Sequence, residues 1–310
     1  MTKDFMQLHD LEVNTEVEQL ANLFRPSEFR GRLQALREGG VNQGAFRPFW
    51  DQWGDKFVLR PRELSIFFGR RGSQKSTVVN YLIADYLMAG RGSVGLLSYE
   101  MEPEELLDLL VAQMANSADY SDEFFEKCMT FLEARLTLVD EMVDSPHAAI
   151  AKLNATLEAG CKLVVLDCLQ RVNMPDNDIN LEREFVVEMT NLVRKHHAHC
   201  VLVHHSKKGN TKDGDNPYPE IDDLRGSGGL ADNAMNVVSI WANKAKKELQ
   251  FKVQRGHTPT PEEEDLLSKP DLVLDVKKQR KQPFESRIGL WATEARTYHR
   301  YGASPTTYRG

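Results

Sequence analysis

The 310-residue chain carries 39 Lys and Arg against 46 Asp and Glu, a net charge of −7, and is 41% hydrophobic. That acidity argues against a protein that coats duplex DNA through a broadly basic face, so a nucleic-acid site must be local. Apolar runs stop short of the roughly 20 residues that span a bilayer, and the scattered Cys128, Cys161, Cys168 and Cys200 lack zinc-ribbon spacing and read as buried thiols.

The amino end, MTKDFMQLHDLEVNTE, is acidic and lacks a basic-then-apolar signal, which points to the cytoplasm. Residues 14–24 and 27–40 read as short amphipathic helices, and 45–64 as a connector. The runs 64–69, 93–100, 136–141, 162–167 and 200–205 are then nearly continuous apolar strands, the pattern of parallel strands covered on both faces. Between them, 75–90, 103–118, 145–160 and 180–197 show helical spacing, with Gly90 and Gly160 as stops. This alternation predicts an α/β fold, a mostly parallel sheet with helices on both faces. The cluster RKHHAHC at 194–200 is a candidate metal ligand set, but basic residues finishing a helix also suit the negative end of its dipole, the preferred reading. In the last third, 236–242, 249–255, 271–280 and 286–292 read as strands forming antiparallel hairpins at the C-terminal sheet edge, with 256–270 as a Pro- and Glu-rich loop.

The stretch FFGRRGSQKSTVVNYL at 67–82 follows a strand and opens a helix, the context of a phosphate-binding P-loop, G-x-x-x-x-G-K-S/T. The cradle is Gly69, Arg70, Arg71, Gly72, Ser73, Gln74, Lys75, Ser76 and Thr77. Lys75 is suited to the transferred phosphate of ATP or another nucleoside triphosphate, and the Ser76 hydroxyl to Mg²⁺. Gln74 stands where the second glycine belongs. A side chain there stores about 1–3 kcal/mol of strain, worth about ten- to a hundredfold in nucleotide affinity, so the expectation is a working cradle with slow turnover. Asp167, ending the strand KLVVLD, is placed as the magnesium partner. Glu100, ending VGLLSYE, is a candidate for orienting or deprotonating the attacking water; by itself it also reads as a solvated helix cap.

With LLSYEMEPEELL, LVVLDCLQ, VLVHHSKKG, IDDLRGSGGLADNAMNVVSIW and LVLDVKKQRKQPFESRIGLW in this order, residues 60–291 resemble the ATPase core of ring-forming replicative helicases, the DnaB-like family with its RecA-like fold, phage and Twinkle-type members among them. The resemblance implies a helicase ATPase domain over 51–298, a helical assembly segment over 1–50 and a tail over 299–310. It implies that His205 senses the γ-phosphate and that Lys278 and Arg280 complete a neighbouring subunit's site, where an arginine in trans is worth roughly 10³–10⁵ in rate. It makes the 206–229 loop the lining of a central channel, with Lys207, Lys208, Lys212, Arg225, Gly226, Ser227 and Gly228 holding single-stranded DNA, and 171–184 a second channel segment. Relatives carry an arginine to support the nucleotide where this chain has Ala242. The implied partners are single-stranded DNA, further copies in a hexameric ring and a separate primase or loader, in a bacterial or phage-infected cell, with no membrane. A RecA- or RadA-like recombination ATPase and a weakly hydrolysing DNA-binding ring or loader are the alternatives.

Overall fold

The computed structural model describes residues 25–40, 42–139, 145–174, 179–207, 216–224 and 228–300. Met1–Gln43 and Gly44–Gly310 form two compact units. In the first, a 3-10 turn, Pro26–Phe29, leads into α1, Arg30–Gly39, which exposes Leu33 and Leu36. The helix read over 14–24 lies outside the described residues.

In the second unit, short apolar runs become β1 (Leu64–Gly69), β2 (Val94–Ser98), β3 (Leu136–Val139), β4 (Leu163–Asp167) and β5 (His199–His205). Among the described residues they join β6 (Asn236–Ala242), β7 (Leu272–Gln279), β8 (Ser286–Ala292) and β9 (Tyr298–His299) in a nine-stranded sheet ordered β3-β2-β4-β5-β1-β6-β7-β8-β9. Pairing is parallel from β3 to β6 and antiparallel from β6 to β9. The antiparallel extension therefore stands at the C-terminal edge, as the sequence predicts.

Successive strand residues point to opposite faces, and the two faces hold separate cores. Leu64, Ile66 and Phe68 meet α5 (Pro146–Glu158), α6 (Ile179–His196) and α7 (Gly228–Asn233), through Leu153, Val186, Met189 and Leu230. Phe67 instead meets the opposite core, built on α2 (Lys75–Met88), α3 (Pro103–Ala115) and α4 (Asp122–Glu133). The 45–64 connector is part of this second core: Trp50 is fully buried, with its ring 5.8 Å from that of Phe67, and Phe49 lies 4.6 Å from Tyr81.

Residues 249–255 are not a strand: 249–254 lie within α8, Lys244–Gln254, and Arg255 is its C-cap. The Asn243 side chain caps the Lys246 amide, and the strong helix formers of KAKKELQ outweigh a short alternation. The loop expected over 256–270 contains α9, Pro261–Ser268, begun by a Thr260–Glu263 capping box with Pro261 in the first turn. Two helices thus separate β6 from β7, where direct hairpins were expected. α4, unassigned in the sequence reading, begins where the Ser121 side chain accepts from the Phe124 amide. Helix α6 ends in Arg194, Lys195 and His196, in keeping with the dipole reading, and His199 is buried between the Arg60 carbonyl and Ser65. Among the described residues no helix is long and apolar enough to cross a membrane.

Candidate functional site

Strand β1 delivers the predicted phosphate cradle, 69–77, at the C-terminal edge of the parallel sheet, where α/β folds bind ligands. Gly69 fits only as glycine, because a Cβ there would lie 2.3 Å from the Ile240 carbonyl oxygen. Gly72 turns the loop at φ +75. Gln74, the N-cap of α2, sits in the left-handed region at φ 62 and ψ 29, the conformation for which glycine is favoured. Its side chain accepts a hydrogen bond from the Tyr298 hydroxyl at 3.1 Å. The Lys75 ammonium is buried against the Arg70 carbonyl at 3.2 Å, and burial lowers its pKa.

Two other strand ends bring the acids. Asp167 closes β4, and its carbonyl accepts from the Tyr99 amide at 2.7 Å, which steers the chain after β2 toward Glu100. Burial pushes the Asp167 carboxyl up to about 6, with the neighbouring Ser76 hydroxyl opposing the shift. His205 lies level with Gly69 and holds Glu100 through Nε2 at 3.1 Å from Oε1. That hydrogen bond is the main cause holding the Glu100 carboxyl down at about 2, so Glu100 is ionised and ready to accept.

These groups surround an open cavity of about 580 Å³ lined by Gln74, Lys75, Ser76, Glu100, Arg171 and His205, among others. Gln170 and Arg171 also line it, although the sequence reading gave neither a role at the nucleotide. Their position directly after Asp167 in DCLQR was the available signal. Cys168 is a third unforeseen neighbour, its Sγ 3.8 Å from His205 Nε2.

The donor set suits Mg²⁺. The buried Asp167 Oδ1 lacks a hydrogen-bond partner among the described residues, and Ser76 stands beside that carboxylate. Hard cations of this size favour such oxygen ligands alongside substrate phosphates.

Lys278 and Arg280 do not line this cavity. Both donate to main-chain carbonyls at the end of α7: Lys278 to Ala231 and Asp232, Arg280 to Asp232. Of the expected DNA-binding residues, Lys207 is exposed and donates to the Asp222 carbonyl at 3.3 Å, and Gly228 opens α7. Lys208, Lys212, Arg225, Gly226 and Ser227 lie outside the described residues, as do 175–178 of the second channel segment. Tyr218 packs against Trp241 at 4.7 Å, with Arg287 over its ring.

A family model described as an AAA domain matches residues 30–211. No curated protein matches the chain. Among solved structures, the ATPase domain of G40P aligns at a TM-score of 0.65 with 14% identity, covering 89% of this chain and 99% of that one. A structure described as a DnaB-like replicative helicase and its interactions with primase aligns at 0.65 with 15% identity, covering 92% of this chain and 70% of that one. These likenesses show the fold to be that of DnaB-type ATPase domains, RecA-like as the sequence predicts.

Proposed function

We propose that this chain, which belongs to the AAA-domain family, is a P-loop ATPase motor of a ring-forming DnaB-like helicase that moves on single-stranded DNA and parts the duplex. The observation that carries this reading is the meeting of Lys75, Ser76, Glu100 and His205 around one cavity, with the unpartnered Asp167 oxygen behind it. Lys75, desolvated and held by the Arg70 carbonyl, is placed to take charge from the β- and γ-phosphates. Ser76 and Asp167 would hold Mg²⁺, which would supply neutralisation of the phosphate charge when bound. Glu100 orients the attacking water by accepting its hydrogen bond, and His205, hydrogen-bonded to Glu100, keeps that carboxylate ionised and in place.

His205 also ends β5, and the proposed DNA loop starts at the next residue. A shift in His205 on loss of the γ-phosphate is therefore transmitted to that loop without an intervening element. Lys278 pairs with Val237, which is level with Ile66, and the Arg280 amide donates to the Met235 carbonyl, Met235 in turn donating to Leu64 at the start of β1, whereas the cradle follows the end of β1. Those separations, roughly 10 Å for Lys278 and roughly 16 Å for Arg280 along the strand, support a role at another subunit's nucleotide.

The test is ATP hydrolysis by the purified chain with and without single-stranded oligonucleotide, together with strand separation on a forked duplex and micrographs of the particles. Closed rings, hydrolysis stimulated by single strands and unwinding lost in Lys75→Ala are expected. Helical filaments would favour a recombination ATPase. Rings that bind single strands without hydrolysis would favour the loader reading, for which the left-handed Gln74 in the cradle is the specific support.

A further inference from the structure

We propose that Glu100, Cys168 and His205 form a binding site for a zinc-class dication, distinct from the magnesium position at Ser76 and Asp167. Their ligand atoms all lie within 4.8 Å of one another. Glu100 Oε1 is 3.1 Å from His205 Nε2, and Cys168 Sγ is 3.8 Å from the same nitrogen. Oxygen, nitrogen and sulfur bound to tetrahedral zinc at about 2.0–2.3 Å stand roughly 3.3–3.7 Å apart, so only small movements complete the site. Three protein ligands leave a fourth position, and Glu100 and His205 both open onto the nucleotide cavity that would supply it. The thiolate and imidazole select against Mg²⁺, which takes oxygen ligands and keeps its waters.

Binding changes no oxidation state. The Cys168 S–H bond breaks as the sulfur–metal bond forms, with the proton passing to solvent. His205 takes its proton on Nδ1 and offers the Nε2 lone pair, and Glu100 gives up its hydrogen bond to that nitrogen for the metal. The two groups assigned to the γ-phosphate and its attacking water are then both engaged, so zinc switches off hydrolysis while leaving Lys75 and Ser76 free to bind nucleotide. This inhibitory consequence, unlike the site itself, rests on the proposed ATPase reading.

The full chain, without nucleotide or magnesium, is titrated with Co²⁺. The expected result is one saturating equivalent with tetrahedral visible bands and a thiolate-to-metal charge-transfer band, displaced by Zn²⁺. Cys168→Ser should lose the charge-transfer band, and His205→Gln should lose saturation while retaining the thiol, with circular dichroism and melting curves reporting the fold of each. No thiolate band in the folded parent, or the same band in folded Cys168→Ser, overturns the site; if Cys168→Ser does not fold, unchanged saturation in His205→Gln does so. A second arm adds Zn²⁺ and then a chelator to hydrolysis in excess Mg²⁺. Reversible inhibition is expected; a spectroscopically bound metal without inhibition leaves the site standing and overturns the roles given to Glu100 and His205.

Discussion

The Tyr298 hydroxyl donates to Gln74 Oε1 at 3.1 Å, fastening the last described strand to the phosphate cradle. Tyr298 is 1% exposed, and the contact that holds Gln74 in its left-handed conformation is made within the fold itself. The strain of that conformation, about 1–2 kcal/mol for a residue with a Cβ, therefore weighs on folding more than on nucleotide binding. Gln74→Gly should change ATP affinity by less than about tenfold, and Tyr298→Phe should cost about 1 kcal/mol in the parent but little in the Gln74→Gly background. Calorimetric ATP titration and a double-mutant cycle of melting curves measure both. A hundredfold gain in affinity for Gln74→Gly would show instead that the glutamine obstructs the phosphates.

Glu100 should matter for turnover and not for nucleotide capture, since His205 holds it at the cavity wall as an acid outside the cradle itself. Glu100→Gln is expected to bind ATP as the parent does and to hydrolyse it about 10²–10⁴-fold more slowly. Equal losses in binding and turnover, by calorimetry and phosphate release, would assign Glu100 to ground-state binding.

If subunits complete one another's sites, mixing Lys75→Ala with Arg280→Ala should restore part of the hydrolysis that each lacks alone. Fluorescence exchange between labelled subunits establishes that mixed particles form. A mixture that exchanges but stays inactive would leave Arg280 with only its α7 contact to the Asp232 carbonyl.

Asp85 should make the fold less stable as pH rises. Burial pushes its carboxyl up to about 7, the Phe49 amide opposing, and its Oδ2 lacks a hydrogen-bond partner among the described residues. The folded chain thus holds a proton that the unfolded chain releases near pH 4. Between these values stability falls with pH, and above pH 7 the full penalty, on the order of 4 kcal/mol, applies. Asp85→Asn should raise the melting temperature clearly at pH 8 and hardly at pH 4. An equal shift at both pH values would assign the effect to packing.

What the sequence by itself determined is the local framework and the strand ends at which the candidate site stands. The strands LSIFFG and LVVLD are buried at every position and mostly apolar because both sheet faces are covered, so the parallel core, the cradle after Gly69 and the acid at Asp167 could be read from periodicity and turn chemistry alone. Tertiary structure decided what depends on pairings far apart in the chain. Parallel registry sets His205 level with Gly69 and hence beside Glu100, and a cross-chain contact lets Tyr298 hold Gln74. The same distance from local pattern hid Arg171 from the cavity reading and let 249–255, whose alternation is too short to outweigh a capped helix, pass for a strand. Periodicity tells each segment which face to bury; only the assembled sheet, by bringing the ends of β1, β4 and β5 to one edge, tells the polar residues at those ends which of them will meet.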